Sequence, residues 1–472
     1  MDKRRILAII ALIGFVALIM YIAFLGKYVN VAIFIYLIVI AIFIATGGLS
    51  KNQKDKVDMI DLKIGKRKVV VEIPTKKIIG VLRQNDVQVS SKDEDSVREA
   101  LENPIGAAKL RETVTDTDKI VIITSDITRP MPTKKVLPVV VEELSKAGVK
   151  DENITVVFAL GSHRKHTDEE KKELVGEKMF ERLNCIDSDV KDVVHLGNTS
   201  NGTPVDIFRP VTEADKVICL GNIEYHYFAG YSGGAKAIMP GVSSREAIQA
   251  NHSKMLMDEA KTGNITGNPV RDDIEEAISI QKIDYIVNVV LSEKKEIIKT
   301  VAGHFVEAHR VGCEFLDSIY KIEIPDKADI VIASPGGFPK DINMYQAQKA
   351  LDNAAQAVKK GGVVILVASC SEGYGEGVFE RWINESRTPN DLIDRIKVQF
   401  ELGGHKAAAI ATVLEDADIY IVSDLENSVV ENIYMKPYAS VKDALKVAFD
   451  KTGADAKVIV MPSGGSTLPV LK

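Results

Sequence analysis

Short β-branched runs alternate with amphipathic helical patterns through most of the chain. Apolar runs that end at Ser125, Leu160 and Asn222 each lead into a polar loop and then a helical segment. The pattern restarts near Ala328 and continues to a run that ends at Asp424. Such runs, separated by helices, are typical of βαβ units and a mostly parallel sheet, which binds ligands at the carboxyl ends of its strands. The sequence therefore predicts an α/β fold.

The length of the chain predicts two domains with a cleft between them. Single hydrophobic cores stop growing at about 250 to 300 residues, and this chain has 472 residues, 46% of them hydrophobic. We predict an N-terminal domain over 63–318, joined by 456–472, and a C-terminal α/β domain over 322–450. A charged linker over 51–62 precedes both. The cleft between two such domains is the preferred place for a small ligand.

The overall charge and the cysteine spacing argue against two kinds of binding. The chain has 60 basic and 66 acidic residues and a formal net charge of -6, which gives no reason to expect a nucleic acid partner. The four cysteines lie far apart, so they indicate neither a disulfide framework nor a thiolate zinc site. A reducing compartment fits this cysteine usage best.

The first 50 residues have a different character and predict two transmembrane helices. Ile6–Leu25 contains no charged residue, and a second apolar run covers about 31–49, each near the length that spans a bilayer core. Basic residues flank both outer ends, at 3–5 and again at 51–56. The positive-inside rule then keeps both ends in the cytoplasm. We therefore expect a multi-pass protein of the cell membrane whose domains face the cytoplasm.

Two loops after apolar runs contain polar residues suited to binding a ligand. SDITRPMP includes Asp126, placed to hold hydroxyls, and Arg129, whose planar fork of donors matches a carboxylate. GSHRKHT carries His163 and His166, which form a weak metal signal because no third ligand is nearby. A capped turn with a surface ion pair, and histidines of purely structural role, are the alternatives for these loops.

A glycine-rich loop after the third run contains residues of several chemistries. Its turn over Tyr231–Gly234 precedes a short helix, and the backbone N–H groups of such a turn can hold a phosphate. Ser243–Glu246 has the spacing of a capping box and begins a helix that ends near His252. A neutral imidazole there can bind a transition metal, or it can simply interact with the helix dipole. Lys236 is either a solvated lysine or an amine that contacts or bonds to a cofactor.

One loop of the predicted C-terminal domain has a similar character. SPGGFPKDINMYQAQKA closes a strand with glycines and then places Tyr345, Gln346 and Lys349 on the first turns of a helix. Gln346 and Lys349 share one helix face because their spacing is i,i+3. Such a pair is usually solvated surface, but its place at the strand-end edge of a second domain favours the wall of a cleft.

Taken together, these loops resemble the nickel-dependent lactate racemase family over nearly all of the chain after about residue 60. The matching motifs are DITRP at 126–130, GSHRKHT at 161–167, HYFAGYSGGAKAIMPG at 226–241, Asn251–His252, and SPGGFPKDINMYQAQKA at 334–350. The long third motif, with its fixed distance to His252, is the most specific. The resemblance implies a racemase or epimerase of a 2-hydroxy acid, which is an isomerase.

The resemblance also implies a cofactor and a role for each candidate residue. The cofactor is nickel in a pyridinium-3,5-bisthiocarboxylic acid mononucleotide-type pincer, covalently linked to Lys236, with His252 as the protein ligand to the metal. Soft sulfur donors and one imidazole suit Ni(II). Hydride transfer at C2 needs an acid/base on either face of the substrate, and these are His163 and His226. The remaining assignments are substrate binding by Arg129, Gln346 and Lys349, and cofactor binding by Asp126, Phe228, Tyr345, Ser232, Gly233 and Gly234.

Several features leave alternatives open. Trp382 matches no family residue, and His405 and Lys406 lie in a loop that leaves the identity of the hydroxy acid undecided. Enzymes that build the cofactor are implied as partners, whereas the membrane hairpin departs from the family pattern. Two other functions fit the same residues. One is a zinc-type metallohydrolase that uses the histidines, and the other is a membrane-tethered protein that binds a hydroxy acid without turnover.

Overall fold

The computed structural model describes residues 3–24, 26, 33, 35–38, 56–85, 93–161, 163–292 and 294–472. The chain forms two compact units, which are Met1–Val57 with Pro74–Lys76, and Asp58–Ile73 with Lys77–Lys472. Every site residue discussed below belongs to the second unit.

The predicted membrane hairpin and the cell-membrane location are wrong. A membrane span needs about 20 consecutive apolar residues in one helix, and among the residues whose side chains the structure describes, no helix is long and apolar enough to cross a membrane. The first predicted span falls on helix α1, Lys3–Phe24, whose described side chains begin at Ile13. Of the second predicted span, 31–49, all but 33 and 35–38 lies outside the described residues.

The chain alternates strands and helices. In chain order the strands are β1 Val57–Ile64, β2 Arg67–Pro74, β3 Ile78–Val81, β4 Ile120–Ser125, β5 Ile154–Ala159, β6 Asn184–Asp187, β7 Val193–Asn198, β8 Pro204–Phe208, β9 Lys216–Asn222, β10 Tyr225–His226, β11 Gly230–Tyr231, β12 Tyr285–Leu291, β13 Ile297–Gly303, β14 Lys321–Ile324, β15 Ala328–Ala333, β16 Val358–Val367, β17 Ala417–Val422, β18 Lys436–Pro437, β19 Val458–Met461 and β20 Leu468–Leu471. The α-helices after α1 are α2 Asp93–Glu102, α3 Thr133–Lys146, α4 Asp168–Val175, α5 Glu177–Arg182, α6 Arg209–Thr212, α7 Arg245–Ser253, α8 Pro269–Ile280, α9 Glu307–Tyr320, α10 Met344–Ala357, α11 Gly377–Glu385, α12 Pro389–Val398, α13 Gly404–Asp416, α14 Asn427–Asn432 and α15 Val441–Thr452.

The first large sheet has the strand order β13-β12-β9-β4-β5-β6, and only β12 and β13 pair antiparallel. Successive side chains of a strand point to opposite faces. Accordingly, Ile120 and Ile122 of β4 join one hydrophobic cluster, whereas Val121 and Ile123 join another. The sheet is therefore buried on both faces, as expected for parallel strands connected by helices.

The second large sheet has the order β18-β17-β16-β15-β19-β3, and all of its neighbouring strands run parallel. Its central strand β15 also divides its side chains, with Ile330 and Ile332 in one cluster and Val331 and Ala333 in the other. The predicted α/β fold with two mostly parallel sheets is confirmed.

We predicted that the segment 456–472 joins the N-terminal domain, but its strand β19 lies in the second large sheet, and its strand β20 pairs with β14 in a separate two-stranded sheet. Its strand β19 pairs with β15 on one side and with β3 on the other. All four residues of β19 are buried, because the strand lies inside the sheet. The preceding segment 63–82 also contributes β3 to the second sheet, so both ends of the described α/β region meet there.

Candidate functional site

The loops that follow β9, β4 and β5 lie side by side, because these strands are neighbours in the first sheet. Asp126 comes directly after β4, His163 follows β5, and His226 lies in the hairpin after β9. Parallel strands present their carboxyl ends at one edge of the sheet. The structure therefore brings these three residues to the same edge.

His163 is held by the carboxylate of Asp126. Its Nδ1 atom lies 3.2 Å from Asp126 Oδ2, and Asp126 Oδ1 accepts from the Thr128 backbone N–H at 2.7 Å. Burial acts to raise the pKa of Asp126, but the hydrogen bond with His163 lowers it to about 2. The carboxylate keeps the imidazole proton on Nδ1 and leaves Nε2 as an acceptor. The sequence assigned Asp126 to the cofactor and gave no sign of this contact.

The second histidine of the same loop has a structural role. His166 Nδ1 lies 2.7 Å from Asp187 Oδ1, and its Nε2 accepts from the Ile127 backbone N–H at 3.1 Å. The ring is buried against Phe158. Because both ring nitrogens are occupied, His166 ties the loop after β5 to the loop after β4.

The hairpin of β10 and β11 carries His226 and is fixed from beneath by α8. Asn268 donates to one carbonyl of this hairpin at 2.8 Å, and the fully buried Arg271 donates to two more. A Cβ at Gly230 would lie 2.1 Å from the Asn264 carbonyl oxygen, and its φ of +73° also requires glycine. Hydrogen bonds to the backbone thus set the position of His226.

His226 has the opposite hydrogen-bonding pattern to His163. Its Nδ1 accepts from the Ala229 backbone N–H at 3.3 Å. A neutral imidazole that accepts through Nδ1 carries its proton on Nε2. The two histidines therefore present different atoms to a ligand, a bare Nε2 on His163 and an N–H on His226.

Phe228 is the common neighbour of three predicted site residues. Its ring lies edge-on to His226, with 4.5 Å between centroids, and to His252, with 4.9 Å. The Nζ atom of Lys236 lies 5.9 Å from the centroid of the same ring. His226, Lys236 and His252 therefore form one cluster around Phe228.

The surroundings of this cluster favour uncharged basic groups. Burial lowers the pKa of His226, Lys236 and His252 well below their ordinary values, and positive neighbours that include Arg129 lower all three further. A neutral amine is a nucleophile and a neutral imidazole is a metal ligand. The cluster has the protonation states that bonding to an electrophile or a metal requires.

His252 is oriented by a chain of buried hydrogen bonds. Its Nδ1 lies 3.2 Å from Asn251 Oδ1, and Asn251 Nδ2 donates to Asp273 Oδ2 at 2.8 Å. Asp273 is fully buried and also accepts from Thr199 and Thr203, at 2.6 and 2.8 Å. Metal-binding histidines usually use one ring nitrogen in this way. Nε2 of His252 is left for a ligand.

Three of the four amides in the turn Tyr231–Gly234, which was predicted to hold a phosphate, are already bonded within the protein, and the first of them, Tyr231 N–H, donates to the Ala229 carbonyl at 2.8 Å. The Ser232 N–H donates to the Glu224 carbonyl at 2.8 Å, and the Gly234 N–H donates to Asn288 Oδ1 at 2.7 Å. A Cβ at Gly233 would lie 2.8 Å from the same Asn288 oxygen. The glycines therefore serve close packing against Asn288, and their phosphate role stays a prediction.

The first turns of α10 form the opposite wall of the site. Asn343 caps this helix by accepting from the Gln346 backbone N–H at 3.0 Å. The Lys349 side chain is accessible to solvent, but the protein around it displaces part of its hydration and lowers its pKa, an effect that the charge of Glu224 opposes and the charge of Arg129 increases. Arg129 and Glu224 belong to the first-sheet domain. Residues of both domains therefore act on Lys349 where the two domains meet.

The sequence left open the roles of His405 and Lys406, which are both buried where the two domains meet, with His405 stacked on Tyr227. His405 Nδ1 accepts from the Gly403 backbone N–H at 2.9 Å, and burial together with Lys406 lowers its pKa to about 3. Lys406 Nζ donates to the Tyr345 carbonyl at 2.5 Å and lies 3.9 Å from the centroid of the Tyr345 ring. Lys406 thus holds Tyr345 in place, and only the tertiary structure reveals this.

Trp382 belongs to the core of the C-terminal domain. Its ring is fully buried, its Nε1 donates to Glu401 Oε2 at 2.8 Å, and the Arg395 guanidinium lies 4.3 Å from the ring centroid. A Cβ at Gly404 would lie 2.2 Å from the indole. Trp382 therefore packs beneath the start of α13, which supports His405.

The side chains that could act as metal ligands limit how this site can bind a metal. Within the described ranges, no group of three or more His, Cys, Asp or Glu residues is placed to bind a metal ion. A structural or catalytic zinc site normally takes at least three protein ligands. The single neutral imidazole of His252 instead fits a group that brings its own donors to the metal.

Models of two known domains match most of the chain. The lactate racemase N-terminal domain matches residues 64–263, and the lactate racemase C-terminal domain matches residues 324–468. A lactate racemase from Thermoanaerobacterium thermosaccharolyticum is 35% identical over 421 residues, covering 87% of this chain and 98% of the relative. A lactate racemase from Lactiplantibacillus plantarum is 33% identical over 417 residues, covering 86% of this chain and 98% of the relative.

The solved structures include a similar fold. The structure of the lactate racemase apoprotein from T. thermosaccharolyticum aligns with a TM-score of 0.83 at 34% identity. The alignment covers 88% of this chain and 100% of that chain. The similarity extends over both large sheets.

Proposed function

Because the chain belongs to the lactate racemase family, we propose that it racemises or epimerises a 2-hydroxy acid with a nickel-pincer nucleotide as cofactor. Family membership confirms the prediction of an enzyme of the isomerase class. The observation that carries the rest of the proposal is the cluster of His226, Lys236 and His252 around Phe228.

The cluster suits such a cofactor. Lys236 would form the covalent link, because burial favours its neutral and nucleophilic form. His252 would bind nickel through Nε2, since Asn251 occupies the side of Nδ1. When bound, the group supplies the acceptor for the C2 hydride and its own donors to the metal. Enzymes that build it are the partners this proposal requires.

His163 and His226 would move the hydroxyl proton of the substrate. When the C2 hydrogen leaves as a hydride, the C2 hydroxyl has to lose its proton to a base. His163 can accept it at Nε2, because Asp126 holds the ring proton on Nδ1. His226 faces the C2 oxygen with its Nε2–H, and it returns a proton there from the doubly protonated form of its ring, which leaves a neutral imidazole. For the opposite enantiomer the two residues exchange roles.

Arg129, Gln346 and Lys349 would bind the substrate. The guanidinium and the ammonium lie on opposite walls, and the effect of Arg129 on the pKa of Lys349 supports a shared anion. A carboxylate placed between them is favourable, because it relieves the repulsion of two positive charges. The cleft thus suits a small hydroxy acid whose charged end faces both domains.

Two measurements on the full chain, purified after co-expression with cofactor-making enzymes, test the proposal. Elemental analysis and intact mass should show nickel and an adduct that is lost in Lys236→Ala. Chiral chromatography should show inversion at C2 of at least one of a panel of 2-hydroxy acids, beginning with lactate. Protein without nickel that inverts none of the panel would overturn the proposal.

A histidine variant separates this proposal from the zinc hydrolase alternative. His252→Ala should lose nickel, whereas His163→Ala should keep it, because only His252 is a proposed ligand. A zinc site built from the same histidines would lose metal in both variants. Binding of a hydroxy acid by the fully loaded protein, without inversion, would instead support a binding protein.

A further inference from the structure

Tyr227 lies at the centre of a stack of four rings that joins the two domains. Its ring stacks on His226, with 5.4 Å between centroids and 24° between planes, and on His405, with 5.9 Å and 12°. His405 in turn stacks on Phe400 at 5.7 Å and 26°. The stack connects the proposed base His226 with the wall that α13 forms.

The hydroxyl of Tyr227 is buried and has no hydrogen-bond partner among the described residues. Two other tyrosines of the same hairpin differ in this respect, since Tyr225 and Tyr231 both donate to Asp317 Oδ1, at 2.9 and 2.8 Å. A buried hydroxyl without a partner costs free energy. The Tyr227 side chain therefore has a donor that a bound molecule can use.

The electrostatics of this hydroxyl link it to one residue of the proposed substrate site, Arg129. Burial raises the pKa of Tyr227 well above 10, with Tyr345 and Asp352 adding to the effect and Arg129 opposing it. Tyr227 therefore remains a neutral phenol, which donates its proton in a hydrogen bond. Arg129 is the residue proposed to bind the substrate carboxylate. The Tyr227 hydroxyl and the Arg129 guanidinium can therefore both contact that carboxylate.

We propose that Tyr227 is a substrate-binding residue, whose hydroxyl donates a hydrogen bond to the carboxylate of the 2-hydroxy acid beside Arg129. Its ring at the same time positions the imidazole of His226 by stacking. This role rests on the proposed function, and neither the motifs nor the predicted loop chemistry assigned it.

Tyr227→Phe is the direct test, because it removes the hydroxyl and keeps the stacked ring. We expect KM for the hydroxy acid to rise about tenfold with kcat changed less than about twofold, as for lost binding that is equal in ground and transition states. Tyr225→Phe is the matched control, since it removes a hydroxyl of the same hairpin that is bonded to Asp317. It should leave KM unchanged. An unchanged KM in Tyr227→Phe would overturn the proposal, even if thermal stability fell.

Calorimetric binding of the same acid to each protein separates this proposal from the function it rests on. If the wild type binds the acid without inverting it, and Tyr227→Phe binds about tenfold more weakly, the binding role stands while the proposed function fails. If the wild type inverts the acid and Tyr227→Phe has the same KM and affinity, only the binding role fails. A wild type that neither binds nor inverts any acid of the panel overturns both.

Discussion

His163 and His226, the two proposed acid/base residues, lie in contrasting surroundings. The side chain of His163 is 39% exposed and is supported by a carboxylate, Asp126, at 3.2 Å. His226 is packed against aromatic rings, and burial and the charge of Arg129 lower its pKa. A carboxylate fixes the tautomer of one residue, whereas a backbone N–H fixes that of the other. The same side chain thus presents a proton acceptor at Nε2 in His163 and an N–H donor at Nε2 in His226.

The largest expected effect comes from removing either imidazole. His163→Ala and His226→Ala should each lower kcat by about a thousandfold, because general acid/base catalysis typically contributes about 10²- to 10⁴-fold. Racemisation in both directions needs both residues, so the two losses should be similar. Steady-state rates from each enantiomer would check this. A variant that retained full activity in one direction would show that its histidine is not required.

Asp126→Asn should affect His163 and leave His226 unchanged. An amide can accept or donate, so it no longer fixes the proton of His163 on Nδ1, and we expect kcat to fall about a hundredfold. Nickel content should stay at the wild-type level, because the carboxylate contacts His163 and Thr128 in this structure. Loss of nickel or of the adduct would instead support the predicted contact between Asp126 and the cofactor.

Lys349→Met tests the influence of the second domain on His226. Without this charge KM should rise about tenfold, because one ionic contact with the substrate carboxylate is lost. The pKa of His226 should also rise, since the positive charge of Lys349 contributes to lowering it. Steady-state kinetics and imidazole titration by NMR would measure the two effects. A rise in KM without a change at His226 would separate substrate binding from the electrostatic coupling.

The smallest effect is on stability, and it follows from the buried and neutral histidines. Below about pH 6.5 the unfolded chain protonates a histidine that the folded chain keeps neutral, so stability falls as the pH falls. For His405, whose pKa is lowered to about 3, this loss continues to about pH 3. His405→Asn should therefore remove about 1 kcal/mol of the loss between about pH 6.5 and 5.5. Urea unfolding of the wild type and the variant at both pH values is the measurement. If the free energy of unfolding falls by the same amount between these pH values in both proteins, the expectation is contradicted.

The sequence located the candidate residues because the fold follows a strong local rule. Polar loops directly after apolar strands predicted that Asp126, His163 and His226 would meet at one sheet edge, and β4, β5 and β9 are indeed neighbours. Prediction from the sequence failed where the role of one residue depends on a second residue far along the chain. Nothing in the sequence links Asn288 to Gly234, although their hydrogen bond occupies an amide that we assigned to a phosphate.

By itself, the sequence determined the two mostly parallel sheets, the strand-end loops and the family to which the chain belongs. These are consequences of local periodicity and of short motifs, which residues near in sequence carry together. Only the tertiary structure decided that β19 lies between β15 and β3, that Asp126 supports His163, and that Tyr227 stacks on His405. Such contacts form between segments that are far apart in sequence and depend on how well their buried surfaces pack together. A local sequence pattern cannot predict them.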